Sequence, residues 1–338
     1  MTTTIGIVGL GQIGSSIGLA LKARGGPERL VGYDRDGGVV RHAVGIGAVH
    51  GAATLKGAVK DADLVFLCLP LSEMRETLRQ IAPDLKENAI VLDTAPIKRQ
   101  LNQWVQEWLP SGRHHLGLVP SLSPASLAIN EVGIEAAHAE LFHHTIMIVV
   151  THPATPAPVQ ELGLNIVRLL GAKPMLTDPV ESDGIMTTAH LLPQLTSAAL
   201  IEACVEGGGW QEARKLAGRP FTSVTGGMAY FDDPKSVQAE ALSDSARVVH
   251  ALEVLIASLQ GLRDDISNGD SEQVGERLAQ SYRTRERWLD ERISASWLRE
   301  GHEPVKIPGL GEHLTQMFFG GRIADAARNL EEKRGSRK

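Results

Sequence analysis

Short apolar runs alternate with amphipathic stretches through the first half of the chain. Strand-like runs fall at residues 4–8, 30–33, 64–69, 89–92, 115–118 and 145–150. Between them, apolar positions recur at helical spacing over 12–23, 37–45, 55–60, 73–81 and 98–109. Such alternation through short glycine- or proline-containing loops predicts a parallel sheet covered by helices on both faces. A helix at 157–170 leads into a strand at 173–177 that extends the same sheet. After Pro179 few β-rich runs remain, and 184–204, 210–217, 243–268 and 273–295 read as helices. From Arg247 to Ile266, Val249, Leu252, Val254, Leu255, Leu259 and Leu262 stand mostly three or four apart, an apolar stripe on a long helix. Such a face is expected to bury itself against a second copy of the chain, giving a homodimer; a closed intrachain bundle is the alternative.

The run GLGQIG lies where the first strand meets the first helix. Gly9 permits a tight turn, Gly11 lets backbone approach a pyrophosphate, and Gly14 lets helix and strand pack closely. The helix N-terminus, at Gln12 and Ile13, offers N–H groups and a favourable dipole to phosphates. Asp34 ends the second strand, about 20 residues on as this fingerprint requires, and is expected to accept from the adenosine ribose hydroxyls. A carboxylate there repels a 2′-phosphate and favours NAD, while Arg35 beside it keeps NADP as the alternative. The expected fold is α/β: a Rossmann-type doubly wound parallel sheet over residues 1–180, an all-helical substrate and dimerisation domain over 181–323, and a charged tail over 324–338. A second GLG, Gly309 to Gly311, lacks a third glycine and a following βαβ unit, and reads as a loop.

Length and composition narrow the class. The 338 residues suffice for two domains of roughly 150 each. A formal net charge of −6 without a basic cluster argues against nucleic acid as the main partner. Apolar runs such as 64–71 are far short of a membrane span. The first four residues are uncharged, run straight into a strand, and do not resemble a signal peptide. Cys68 and Cys204 form neither a zinc pattern nor a disulfide framework, so both are expected as buried apolar side chains in a reducing cytoplasm. The pairs His114–His115 and His143–His144 lack metal-ligand spacing with a nearby acid, so no metal is expected.

The opening GLGQIGSSIGLALKARG, YDRD after the second strand, LCLPLSEMRETL, VLDTAPIK, the Leu141–Phe142 pair and AHLLPQL at 189–195 resemble prephenate and arogenate dehydrogenases. These enzymes of tyrosine biosynthesis oxidise and decarboxylate a cyclohexadienyl acid. The resemblance covers roughly residues 4 to 225, is strongest in the nucleotide half, and implies a nicotinamide cofactor in an interdomain cleft beside a helical dimerisation domain. It carries cofactor contacts onto Gly9, Gly11, Gly14 and Asp34. The loop from Asp93 and Thr94 to Lys98 is implied to border the nicotinamide, and Leu69 and Pro70 to wall the adenosine side.

The substrate side departs from the family. Where the family places a histidine before a proline, this chain has Val119 before Pro120. Pro96 replaces a serine, and the arginine expected near 222–225 is absent from Thr222, Ser223, Val224 and Thr225. A positioned acid or base contributes roughly 10²–10⁴ in rate, and a hydrogen bond to a charged group about 1.5–3 kcal/mol. Other residues must therefore fill the roles, or the substrate differs. His190 matches the family's histidine in the first helix of the second domain and is the candidate acid–base; a core or interface histidine is the alternative. Gln194 lies one turn on, on the same face. Lys98 is a candidate point charge for a substrate carboxylate, or a solvated first-turn lysine. Ser121 and Ser123 offer hydroxyls, or make local turns. Arg219 is the cation nearest the missing arginine, and Asp183 either matches a family acid or caps its own helix.

Three functions fit. The first is an NAD(P)-dependent dehydrogenase of the prephenate type. The second is a reductase or dehydrogenase for another small carbonyl, imine or hydroxy acid. The third is a dinucleotide-binding regulator without catalysis.

Overall fold

The computed structural model describes residues 3–26, 29–127, 131–228 and 233–295. The Gly309–Gly311 loop and the charged tail lie outside the described residues.

Among the described residues, eight strands form one sheet: β1 (Thr4–Val8), β2 (Arg29–Tyr33), β3 (Gly51–Ala52), β4 (Leu64–Leu67), β5 (Ile90–Asp93), β6 (His114–Pro120), β7 (Ile146–Val150) and β8 (Lys173–Thr177). Their order is β3-β2-β1-β4-β5-β6-β7-β8. The order reverses between β1 and β4, which opens a crevice at the carboxyl ends of those strands, where open α/β sheets bind ligands. Six helices connect the strands: α1 (Gln12–Ala23), α2 (Gly37–Gly45), α3 (Leu55–Val59), α4 (Leu71–Ile81), α5 (Arg99–Trp108) and α6 (Ala157–Leu169).

Period-two alternation divides the strand side chains between two cores. Ile5, Ile7, Leu64, Phe66, Ile90 and Leu92 pack with Ile17 of α1 and Leu162 of α6. Val8, Val65, Leu67 and Val91 pack with Met74 of α4 and Leu101 of α5. Both faces are therefore apolar, as a buried parallel sheet requires.

The expectation of a wholly parallel sheet is corrected at one seam. β7 runs antiparallel to β6, pairing Gly117 with Val150 and Pro120 with Met147, while β8 is parallel to β7. The reason lies in the connection. A parallel return needs a long crossover, usually helical, whereas the described part of 121–145 holds only the 3₁₀ turns Pro124–Ser126 and Gly133–Ala136. The chain stays at the carboxyl edge and can only run back.

The second half is helical: α7 (Pro179–Met186), α8 (Leu192–Glu206), α9 (Trp210–Leu216), α10 (Arg219–Thr225), α11 (Pro234–Ser243), α12 (Ser245–Ser267) and α13 (Ser271–Ser294). The single helix expected over 184–204 is instead interrupted by a π turn, Thr187–Leu191, between α7 and α8. Pro193 has no N–H to return to the Ala189 carbonyl, which favours the wider turn. α11 was not anticipated, although Asp233 caps it through Lys235 N and Ser236 N ahead of Pro234. The two cysteines, expected to be buried, are both half-buried; burial of the Cys68 thiol pushes its pKa up to about 12.

Phe66 is among the largest fully buried side chains and lies in a central strand. Phe66→Ala is expected to lower unfolding free energy by about 3–5 kcal/mol, measured by denaturant titration of the full chain.

Candidate functional site

The glycine loop turns from β1 into α1 beside the crevice. Gly9 has φ +91°, and a Cβ there would lie 2.2 Å from the Cys68 carbonyl oxygen; one at Gly14 would lie 1.9 Å from the Gly9 oxygen. These two glycines are required by the chain's own packing. Gly11 is different: a Cβ would meet nothing within 4 Å. Gly11 also caps α1 without any side-chain bond, and the first turn, with Gln12 and Ile13, carries no acid. Open space thus adjoins the positive end of a helix, which fits a pyrophosphate. Gln12 Nε2 donates to the Ala136 carbonyl at 3.3 Å, tying the loop to the 3₁₀ turn beyond β6.

Asp34 stands at the tip of β2. One carboxylate oxygen accepts from Leu10 N at 2.8 Å and the other from Asp36 N at 2.9 Å. The group is therefore fixed beside the loop, with acceptor capacity left for ribose hydroxyls. Arg35 is exposed and ion-paired with Glu73 of α4. Leu69 and Pro70 are half-buried beyond the end of β4, and Pro70 caps α4. Thr94 N donates to the Leu67 carbonyl at 3.0 Å, which carries the chain across the top of β4 and β5.

Two expectations for the loop after β5 are corrected. The side chains of Asp93 and Lys98 are both fully buried, and their charges meet each other. Lys98 Nζ also donates to the Leu118 carbonyl at 2.9 Å, and Asp93 accepts from Ala95 N and contacts His115 Nε2, each at 2.9 Å. Burial opposes ionisation of Asp93, yet the Lys98 ammonium and His115 hold its carboxyl below the ordinary range. Burial likewise holds Lys98 below the ordinary lysine range. Lys98 is therefore neither a solvated lysine nor a cation presented to a substrate, and the Asp93 carboxylate is turned inward. Gly117 makes this burial feasible, since a Cβ there would lie 2.9 Å from Lys98 Cδ.

Asp183 does not cap its own helix. α7 is capped by Asp178. Asp183 instead accepts from Lys98 N at 2.6 Å and Arg99 N at 3.2 Å, so it caps α5 across the two halves of the molecule.

His190 sits in the π turn. Its Nε2 is 3.1 Å from Gln194 Nε2 of α8 and 3.8 Å from Glu240 Oε2 of α11. Gln194 is 2% and Glu240 1% exposed, whereas the His190 side chain is 24% exposed. Met186, the residue before the π turn, packs on Val119, Ile148 and Val150. Position 119 is thus part of a buried apolar wall, with the last residue of α7, just before the turn that carries His190, packed against it. Pro96 is half-buried in the loop before Lys98.

Ser121 and Ser123 lie just beyond β6 and meet polar partners. Arg292 of α13 donates to Ser121 Oγ at 3.0 Å and to the Leu122 carbonyl at 2.5 Å. Ser123 Oγ contacts Ser126 Oγ at 2.8 Å, which contacts His138 Nε2 at 3.0 Å. His138 N donates to Ser16 Oγ of α1. This network ties the post-β6 loop to the nucleotide helix. Arg219 opens α10 and is exposed; Arg292 is a guanidinium that reaches the serine loop. Thr222 and Ser223 are exposed on the same short helix. Arg292 was missed because it is one of many charges along α13, and Glu240 because α11 itself was not read from the sequence.

The first half defines the class: a dinucleotide-binding α/β domain followed by a helical one. Residues 17–176 match the family model for the nucleotide-binding domain of prephenate dehydrogenase. Cyclohexadienyl dehydrogenase of Zymomonas mobilis is 28% identical over 286 residues, covering 83% of this chain and 94% of that one. The crystal structure of Synechocystis arogenate dehydrogenase superposes with a TM-score of 0.64 at 26% identity, covering 85% of this chain and all, 100%, of that one. Prephenate dehydrogenase from Aquifex aeolicus, in complex with hydroxyphenyl propionate and NAD+, shares the fold at a TM-score of 0.69 and 22% identity, covering 85% and 98%. The family these comparisons show is that of the prephenate dehydrogenase nucleotide-binding domain, over residues 17–176 of this chain.

Breaking a buried ion pair by removing one partner strands the other charge. Lys98→Met is expected to cost about 3–5 kcal/mol of stability, and the double variant Asp93→Asn, Lys98→Met to regain most of it. Denaturant unfolding of the single and double variants checks this.

Proposed function

We propose that this protein is an NAD-dependent dehydrogenase that oxidises a small cyclohexadienyl acid of the prephenate or arogenate type. The observation that carries the reading is the glycine loop, where Gly11 keeps open space that the chain itself does not need. NAD, held by Gly11, the first turn of α1 and Asp34, would supply the hydride acceptor. NADP fits less well: a 2′-phosphate would meet the Asp34 carboxylate, and Arg35 is engaged by Glu73.

On the substrate side, His190 takes the proton from the hydroxyl being oxidised, with Gln194 beside it. Arg292 and Ser121 hold a substrate carboxylate, a role that a guanidinium fork serves well. Val119, Ile148 and Met186 exclude water from that side.

The helical half supports a homodimer. Leu259 and Ile266 of α12 and Leu278, Trp288 and Ile293 of α13 are all 47–64% exposed, and a second copy would cover them. The domain boundary belongs near residue 180, where α7 begins. Among the described residues no helix is long and apolar enough to cross a membrane, and two unpaired cysteines suit a reducing cytoplasm.

The apolar wall at Val119 favours one second reading, a different small hydroxy acid or imine as substrate. Val119→His is then expected to weaken activity on the true substrate.

Purified protein with NAD and prephenate or arogenate is expected to form reduced cofactor, followed by absorbance, and faster than with NADP. Absence of turnover with both acids excludes the tyrosine-forming reaction. Arg292→Gln is expected to raise KM roughly 10–100-fold, equivalent to the 1.5–3 kcal/mol of a charged hydrogen bond, with cofactor affinity unchanged in a binding titration.

A further inference from the structure

The strand order β2-β1-β4 places the tips of β2 and β4 on either side of β1. The glycine loop leaves β1 between them, so the adenosine half of a dinucleotide would lie across this gap. Arg35 follows the tip of β2, and Glu73 stands in the first turn of α4, which begins beyond β4. The Arg35 guanidinium is ion-paired with the Glu73 carboxylate. The pair therefore joins the two banks of the gap, between residues 38 positions apart in sequence. An acid in the first turn of a helix is favourable by itself, through the helix dipole. That role alone would not require an arginine from the opposite bank.

Acids and arginines stand together around the tip of β2. Asp34 is anchored by Leu10 N and Asp36 N. Asp36 is engaged in capping α2, accepting from Gly38 N at 2.7 Å. Arg41 of α2 lies over the same turn, since a Cβ at Gly37 would be 3.5 Å from its Nη1. Arginines so placed suit a phosphate, which a guanidinium grips with two parallel hydrogen bonds. Two carboxylates oppose one here, and they do so differently. Asp34 repels a 2′-phosphate from the place where the ribose is expected. Glu73 occupies the guanidinium that would otherwise receive it.

We propose that Glu73 is a specificity-determining residue for the cofactor, disfavouring NADP by holding the Arg35 guanidinium away from a 2′-phosphate. This rests on the glycine loop and Asp34 binding a dinucleotide as proposed above. NAD presents a hydroxyl at the 2′ carbon, which the Asp34 carboxylate suits, and has no need of Arg35. NADP presents a doubly charged phosphate, which must compete with Glu73 for its natural partner and meet the repulsion of both acids. Discrimination against a competitor is often built in this way, by withholding a contact from it. The Arg35 side chain is 77% exposed and that of Glu73 31%. Water screens a pair so placed, and its hold amounts to about two- to fivefold in equilibrium. Glu73 thus adds a modest factor to the larger effect of Asp34.

The test reads binding and needs no substrate. Full-length wild type, Glu73→Gln, Arg35→Gln and the double variant are titrated with NAD and with NADP by isothermal calorimetry. One low ionic strength is used throughout, because salt screens both the pair and the phosphate contact. The wild type is expected to bind NAD more tightly than NADP. Glu73→Gln is expected to tighten NADP about 3–10-fold and to leave NAD within about twofold. In the Arg35→Gln background the same change should improve NADP less than about twofold, since the guanidinium it would release is gone. Unchanged NADP affinity in Glu73→Gln, with NAD bound as in the wild type, overturns the proposal and leaves Glu73 as a first-turn acid of α4. An equal gain in both backgrounds also overturns it, because Glu73 would then act by its own charge and not through Arg35. A wild type that binds neither nucleotide defeats the dinucleotide reading itself, and the proposal with it.

Discussion

Lys98 carries its charge with no contact to water, and both halves of the molecule are arranged around it. Its ammonium joins Asp93 at the end of β5 to the Leu118 carbonyl on β6, while its own N–H and that of Arg99 are capped by Asp183 from α7. A single residue thus fastens two strands, the start of α5 and the first helix of the second half. The cost of desolvating the charge is offset only because Asp93 and a carbonyl lie within reach. Gly117 is what makes the room. The carboxyl edge of the sheet is consequently fastened at this point, and α7 is held at a fixed place above it.

That fastening separates the two sides of the crevice by chemistry. The nucleotide side is built from backbone: a helix N-terminus, an open glycine and one anchored carboxylate. The proposed substrate side is built from side chains of the π turn, α8 and α13. Backbone recognition tolerates little variation, whereas side chains on different helices can be exchanged singly. A family can therefore keep its cofactor and change what it oxidises, and Val119 lies on the side that is free to change.

Legibility in the sequence followed the same division. Gly9, Gly11, Gly14 and Asp34 were readable because local turn sterics and strand–helix order dictate them within a few tens of residues. The strand and helix positions of the first half were readable for the same reason. The fate of Lys98 was not, because its burial depends on a missing side chain at Gly117 in another strand. The antiparallel course of β7 was hidden by an irregular connection whose lack of a crossover helix only the fold makes visible. Arg292 meets Ser121 across 171 positions of sequence, and Glu240 meets His190 through the packing of α11 on the π turn. No periodicity encodes such meetings.

The π turn between α7 and α8 has a geometric consequence of its own. In an unbroken α-helix, residues four apart stack on one stripe and look at the same neighbour. Met186 and His190 are four apart, yet the first packs on the end of β6 and the second lies against α11. One locally widened turn acts as a swivel, letting a single stretch of chain serve two surfaces. Reverting it to regular helix would force the wall and the imidazole to compete for one direction.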